Sequence, residues 1–151
     1  MKAIALEIEI NAAIEQVFAI FTDIQRWPEM IQSMTKIELL TAGPVGRGTR
    51  FRETRMLFKK EAHEDMEFTE FQPPNRYVLE ATSHSTHYIS TFTFRKNDDG
   101  ATSLRMTFVG KPQTLIAKTV GSFLFFFFAG MTRKMLAADL NAIKTTIEQD
   151  C

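Results

Sequence analysis

The chain opens on an alternation of apolar and polar side chains. Every second residue from 4 to 10 is isoleucine or leucine, and Glu7 and Glu9 lie between them. This period of two is typical of a β-strand with one buried face. The same period, interrupted by turn residues, predicts six further strands at about residues 36–40, 49–58, 60–71, 77–81, 88–94 and 104–108.

Helical spacing follows the first strand and returns at the end of the chain. Apolar residues recur at intervals of three and four from Ile14 to Phe21, which predicts a short helix at about 12–22. Proline is favoured at a first helical position, so a second short helix should begin at Trp27-Pro28. Residues 114–149 contain no proline and predict one long helix. Strands in succession with segregated helices favour an α+β fold, in which the long helix lies across one face of an antiparallel sheet.

The long helix carries six consecutive large apolar residues at 123–128. Consecutive residues are spread all round a helix, so one sheet cannot cover them all. One apolar stripe should face the sheet, and it comprises Phe125, Ala129, Leu136, Leu140, Ile143 and Ile147. A second apolar face comprises Val120, Phe123, Leu124, Phe127 and Met131. Either the two short helices cover this second face, or it is exposed and serves as a homodimer contact or a membrane-touching mouth of a cavity.

Composition limits the classes of protein that remain. A length of 151 residues with 44% hydrophobic residues fits one domain over residues 1–151. Eighteen basic and eighteen acidic residues leave no net charge, which argues against nucleic acid as a partner. The single cysteine, Cys151, excludes a disulfide framework within the chain and fits a cytoplasmic location. The longest apolar run is shorter than the roughly 20 residues that a spanning helix needs.

The inward face of the predicted sheet carries charged residues. If Phe51 and Met66 point inward, alternation also directs Glu53, Arg55 and Glu64 inward. Charged groups in an apolar cavity need partners, and we expect Arg55 to pair with Glu64 across two strands. These residues either orient the polar end of a ligand, or lie at a wet rim of the sheet without a function.

The outward face of the sheet and the histidines give no sign of a catalytic or metal-binding site. Arg50 and Arg52 should pair with Asp65 and Glu67 on the neighbouring strand. His84 and His87 belong to a polar turn, and no metal-ligand set accompanies them at a recognised spacing. The sequence also lacks a phosphate-binding loop and a nucleophile elbow, so we expect neither a metal nor a cofactor.

Several short motifs, in their order along the chain, resemble those of a known family. They are Val17-Phe18 with Asp23, Trp27-Pro28, Pro44-Val45-Gly46-Arg47-Gly48-Thr49, Glu70-Phe71-Gln72-Pro73-Pro74, Asp99-Gly100-Ala101-Thr102 and Asp139-Leu140-Asn141-Ala142-Ile143. Together they resemble the polyketide cyclase/dehydrase branch of the START-like (SRPBCC, helix-grip) superfamily, over nearly the whole chain. The resemblance implies a curved seven-stranded antiparallel sheet that grips the C-terminal helix, with a cavity for an apolar ligand between them.

The resemblance leaves the function open among three classes. The first is a protein that binds or carries a hydrophobic or amphipathic small molecule, such as a lipid, a quinone or a polyketide-like compound. The second is a cyclase or dehydratase in which Tyr88 and a carboxylate act as acid and base. The third is an interaction module of the coenzyme Q-binding or chaperone-associated kind. We favour binding, with ligand contacts from Phe51, Glu53, Arg55, Glu64, Met66, Phe68, Leu79, Tyr88, Phe92, Met106 and Phe125.

Overall fold

A computed structural model describes residues 2–83 and 85–150, except for the side chains of Lys2 and of residues 116–128. Seven strands and three α-helices are present in this part of the chain. The strands are β1 (Lys2–Ile10), β2 (Met34–Leu39), β3 (Arg50–Leu57), β4 (Lys60–Gln72), β5 (Arg76–Ser83), β6 (Thr86–Lys96) and β7 (Thr102–Pro112). The helices are α1 (Ile14–Phe21), α2 (Trp27–Met30) and α3 (Leu115–Gln149), and a short 3₁₀ helix (Ile24–Arg26) precedes α2.

The seven strands form one curved antiparallel sheet in the order β1-β7-β6-β5-β4-β3-β2. Strands β2 to β7 follow one another as neighbours, whereas β1 lies beside the last strand, β7. The predicted fold class is therefore confirmed: an α+β, helix-grip arrangement with two short helices after strand one and a long C-terminal helix.

The core fills the space between the concave face of the sheet and the helices. Helix α1 forms because its apolar residues recur at helical spacing, and it buries Ile14, Val17, Phe18 and Phe21. Phe18 makes edge-to-face contacts with three aromatic rings of the sheet: Phe71, Tyr77 and Phe94. Such ring pairs add to the free energy of burial itself. Helix α1 therefore covers the end of the sheet that carries Phe71, Tyr77 and Phe94.

Helix α3 is held through its C-terminal half. Leu140, Ile143 and Ile147 are buried in the core, as the predicted stripe requires. The Arg133 guanidinium also donates to the carbonyl of Ala5 on β1, at 2.9 Å. None of the helices, over the residues described, is long and apolar enough to cross a membrane.

The sheet is divided at one end, between β4 and β5. These strands pair from Glu67, opposite Glu80, to Gln72, opposite Arg76. By contrast, β3 and β4 pair as far as Leu57 and Lys60, at the tip of their hairpin. Within the described strands, residues 60–66 of β4 therefore pair with β3 alone, and the sheet opens toward the hairpin tips.

Candidate functional site

Charged residues of β3 and β4 point into the concave face, as alternation predicts. Glu53 lies opposite Glu64 in the antiparallel ladder, and Arg55 lies opposite Ala62. Glu53 and Arg55 are 7% and 6% exposed, so both belong to the interior and not to a wet rim. The sheet thus carries a buried acid and a buried base on one strand.

Arg55 is the centre of a buried ion cluster that joins the sheet to α3. Its Nε lies 3.1 Å from Glu53 Oε1, and its Nη2 lies 3.0 Å from Asp139 Oδ2 on the helix. Its Nη1 lies 3.1 Å from both Asp139 Oδ1 and Ser33 Oγ. The guanidinium is therefore bidentate toward Asp139, which is the strong geometry for such a pair.

The predicted ion pair between Arg55 and Glu64 is wrong. Among the described residues, Arg55 pairs with Glu53 and Asp139. The reason is geometric, since Glu53 shares a strand face with Arg55 while Glu64 is offset by two residues across the ladder. Sequence reasoning missed Asp139 and Ser33 as members of the cluster. Asp139 was part of a recognised motif, but nothing local to it indicates a partner 84 residues away.

Burial shifts the pKa of every carboxylate in this region. Desolvation raises the pKa of Glu53 and of Asp139, and the positive charge of Arg55 opposes the rise in both. Burial also disfavours the charged form of Arg55, but the charges of Glu53 and Asp139 outweigh it and raise the Arg55 pKa. The pKa of Glu64 is raised to about 7, first by burial and then by the neighbouring Glu53 charge. Glu64 can therefore exchange a proton near neutral pH.

The concave face divides into two halves of different accessibility. On β4, β6 and β7, the inward side chains toward α1 are buried, whereas those toward the hairpin tips are only half-buried. Arg55 on β3 and Ala81 on β5 stay buried at the hairpin-tip end. The buried members are Phe51, Phe68, Leu79, Phe92, Phe94, Leu104 and Met106. The half-buried members are Glu64, Met66, Tyr88, Ser90 and Phe108, which we call the open half.

The apolar residues predicted as ligand contacts fall into these two halves. Phe51, Phe68 and Phe92 pack in the core against Trp27, Phe71 and Tyr77. Leu79 and Met106 are buried in the same cluster. Met66 and Tyr88 belong to the open half, where the Tyr88 ring stacks on Phe108 with centroids 5.4 Å apart. The predicted contact from Phe125 and the proposed dimer or membrane face at 123–128 lie outside the described side chains.

A polar groove lies where β4 and β5 separate. It has a volume of about 390 Å³ and is lined by Glu38, Arg52, His63, Glu64, Asp65, Thr82 and Ser83. Strand neighbours alternate between the two faces, so a groove that includes Glu64 with His63 and Asp65 crosses the edge of β4. Glu64 is therefore accessible from this gap.

The outward face carries the ion pairs that the sequence predicts. Arg52 Nε lies 2.7 Å from Asp65 Oδ1, and Arg50 Nε lies 3.9 Å from Glu67 Oε1. The prediction that His87 belongs to a turn is wrong, because His87 lies on β6. Its Nε2 lies 2.6 Å from Glu80 Oε1, and its Nδ1 lies 2.9 Å from Thr82 Oγ1. No group of three metal-ligating side chains occurs among residues that the structure describes.

Comparisons with known proteins agree with this architecture. The model of a family described as "Polyketide cyclase / dehydrase and lipid transport" matches residues 1–148. A comparison with curated protein sequences finds no match.

Solved structures share the fold at low sequence identity. An aromatase/cyclase from a Streptomyces species superimposes with a TM-score of 0.76 at 15% identity, over 98% of this chain and 94% of its own. Norcoclaurine synthase from Thalictrum flavum gives 0.75 at 15% identity, over 99% and 95%. A START superfamily protein from Mycobacterium smegmatis gives 0.72 at 15% identity, over 99% of both chains. At these identities the likeness concerns the fold.

Proposed function

Because the chain belongs to the polyketide cyclase/dehydrase and lipid transport family, we propose that it binds a hydrophobic or amphipathic small molecule between its sheet and α3. The observation that carries the proposal is the open half of the concave face. Side chains there point inward but remain half-buried. The inward residues further along the same strands, such as Phe68, Phe92 and Met106, are packed into the core. A lipid, a quinone or a polyketide-like compound matches the apolar surface that this half offers. The cytoplasm remains our predicted location.

In this proposal, the site has an apolar body and a polar end, the usual division in small-molecule sites. Met66 and Phe108 supply adaptable apolar surface. Glu64 and Tyr88 are partly accessible and orient the polar end of the ligand. Arg55 pairs with both Glu53 and Asp139, so Glu53 and Arg55 form a fixed, charged border of the site and do not contact the ligand.

A substitution that fills the open half tests the proposal. Ser90 faces inward beside Phe108, and its neighbour Thr91 faces outward beside Thr107. Ser90→Phe should reduce binding of a neutral apolar fluorophore such as N-phenyl-1-naphthylamine by roughly tenfold, because the ring occupies ligand space. Fluorescence titration measures the effect, and native mass spectrometry of protein purified from cells should show a co-purifying ligand.

The matched control is Thr91→Phe, which adds the same ring to the other face of the same strand. It should bind the fluorophore as the unmodified protein does. Equal binding by both variants would place the ligand elsewhere. A wild-type protein that binds neither the fluorophore nor any co-purifying molecule would contradict the proposal as a whole.

A second candidate function, acid–base catalysis on a poly-carbonyl substrate, is favoured by one observation. Glu64 has a pKa of about 7, where a carboxyl can both accept and donate a proton at neutral pH. If the protein is such an enzyme, Glu64→Gln should lower turnover of a poly-β-ketone thioester by about a hundredfold or more, and Tyr88→Phe should also slow it. Product analysis by liquid chromatography and mass spectrometry measures this. Unchanged product formation in both variants would remove these residues from catalysis.

A further inference from the structure

The tip of the β3–β4 hairpin, residues 57–60, exposes an aromatic side chain beside two lysines. Phe58 is 78% exposed, and Leu57 and Met56 beside it are 36% and 39% exposed. Lys59 and Lys60 are exposed as well. An isolated exposed apolar residue is ordinary, but a cluster of three at a protruding turn flanked by cations is a distinct surface.

Phe58 and Lys59 are unusual residues for the backbone conformation of this turn. Phe58 and Lys59 have φ angles of 51° and 65°, so both central positions of this two-residue turn lie in the left-handed region. Such turns favour asparagine and glycine, because a side chain with a Cβ is strained there. A large aromatic residue at this position neither relieves strain nor packs into the core, so the fold does not account for it.

The hairpin tip lies at the end of the sheet where the concave face is open. β4 runs away from this tip and β5 returns toward it, so the β5–β6 turn lies at the same end. The end of β7 and Lys111, which is exposed, lie there also. Leu115, at the first residue of α3, is 81% exposed. Apolar and basic side chains thus gather around one end of the molecule.

We propose that this hairpin tip docks the protein on the surface of a lipid bilayer that contains anionic headgroups. Phe58 inserts at the boundary between headgroups and acyl chains, and Lys59 and Lys60 remain at the level of the phosphates. Glu61 is the nearest acidic residue in the sequence, so the two lysines outnumber the acidic groups at the tip.

A membrane fits the tip better than a protein partner does. A stable protein interface buries roughly 800 Å² on each side, which a two-residue turn cannot supply. Insertion of one aromatic ring, together with the attraction of two lysines to an anionic surface, suffices for reversible membrane contact. The inference goes beyond the proposed function, since it requires no ligand in the concave face.

Sedimentation with lipid vesicles tests the proposal. The wild-type protein should pellet with vesicles of phosphatidylcholine containing about 30% phosphatidylserine, and less with phosphatidylcholine alone. Phe58→Asn should weaken this binding by roughly tenfold. Asparagine tolerates the left-handed backbone, so the variant should keep its fold. Replacing both Lys59 and Lys60 with glutamine should abolish the preference for anionic vesicles.

The matched control is Leu40→Asn, which removes an exposed apolar side chain (43% exposed) from the opposite end of the sheet. It should pellet as the wild-type protein does, and so should Ser90→Phe, because docking does not involve the open half. The proposal is overturned if Phe58→Asn binds vesicles like the wild type, or if Leu40→Asn weakens binding equally. A dimer in analytical ultracentrifugation that Phe58→Asn dissociates, without vesicle binding, would instead assign the tip to a second copy of the chain.

Discussion

A carboxyl group at position 64 faces a second carboxyl group, Glu53, across the β3–β4 ladder. Like charges directly opposite each other destabilise an antiparallel pair, and burial adds a desolvation cost to both. Arg55 offsets the charge of Glu53 by direct contact but reaches Glu64 only through longer-range attraction. Glu64, with a pKa of about 7, therefore takes up a proton near neutral pH.

The raised pKa of Glu64 makes the stability of the protein depend on pH. The folded protein binds this proton more tightly than the unfolded chain does, because the pKa rises from 4.5 to about 7 on folding. The contribution is fully present below about pH 4.5 and is lost as pH rises through 7. Glu64→Gln should therefore stabilise the protein at pH 8 by about 1 to 3 kcal/mol and change it little near pH 4.5.

Urea unfolding of both proteins at the two pH values measures this difference. Glu67→Gln, on the exposed outward face of the same strand, is the control and should change stability little at either pH. A Glu64→Gln variant less stable than the wild type at pH 8 would show that Glu64 is charged and has a partner.

Alternation predicts which residues point inward, but it does not predict their partners. It correctly directed Glu53, Arg55 and Glu64 into the concave face. Arg55 pairs with Asp139 because of the position at which α3 packs across the sheet. No local sequence pattern predicts that position. This is why the expected pair was wrong although the expected face was right.

Among the elements, α3 is held from both edges of the sheet. Arg133 donates to β1 at one edge, and Asp139 receives Arg55 from β3 near the other. The second contact is charged and buried, so its removal leaves uncompensated charge in the interior. Breaking a buried pair in this way costs more than the net contribution of the pair itself.

Arg55→Met should destabilise the protein by about 3 to 5 kcal/mol, because Glu53 and Asp139 lose their counter-charge. Asp139→Asn should cost less, since Arg55 keeps Glu53 as its partner. A double-mutant cycle of the two changes, followed by denaturant unfolding, should give a coupling energy above about 1 kcal/mol. Additive effects would mean that the two side chains do not interact in solution.

Most elements could be predicted within two residues from periodicity and turn chemistry. The short helix expected at 12–22 is α1 at Ile14–Phe21, and the long helix expected at 114–149 is α3 at Leu115–Gln149. The last strand runs further than predicted, to Pro112. Proline is tolerated there because it ends the ladder and needs no further N–H donor. Apolar and polar residues do not alternate clearly in this part of β7, so the pattern does not predict the end of the strand. Gly110 lies there under the Tyr88 ring.

For the whole molecule, the order and spacing of weak motifs predict the fold and the family. The division of the concave face into a buried half and an open half is seen only in the structure. The inward residues of β4 look equivalent in sequence, yet Phe68 is fully buried and Met66 is half-buried. The difference depends on which part of the concave face the helices cover. Such coverage is a property of packing between distant segments, so no window of sequence contains it.

The position of β1 beside β7 has a consequence for how the protein folds. β1 pairs with β7 from Lys2, opposite Gly110, to Ile10, opposite Thr102. The other neighbours in the sheet are joined by hairpins or short connections and can pair as soon as they are made. β1 must instead close a loop of most of the chain, at an entropy cost that grows with loop length. During synthesis, β1 is thus made before the other six strands of the sheet but must wait for β7 before it can pair.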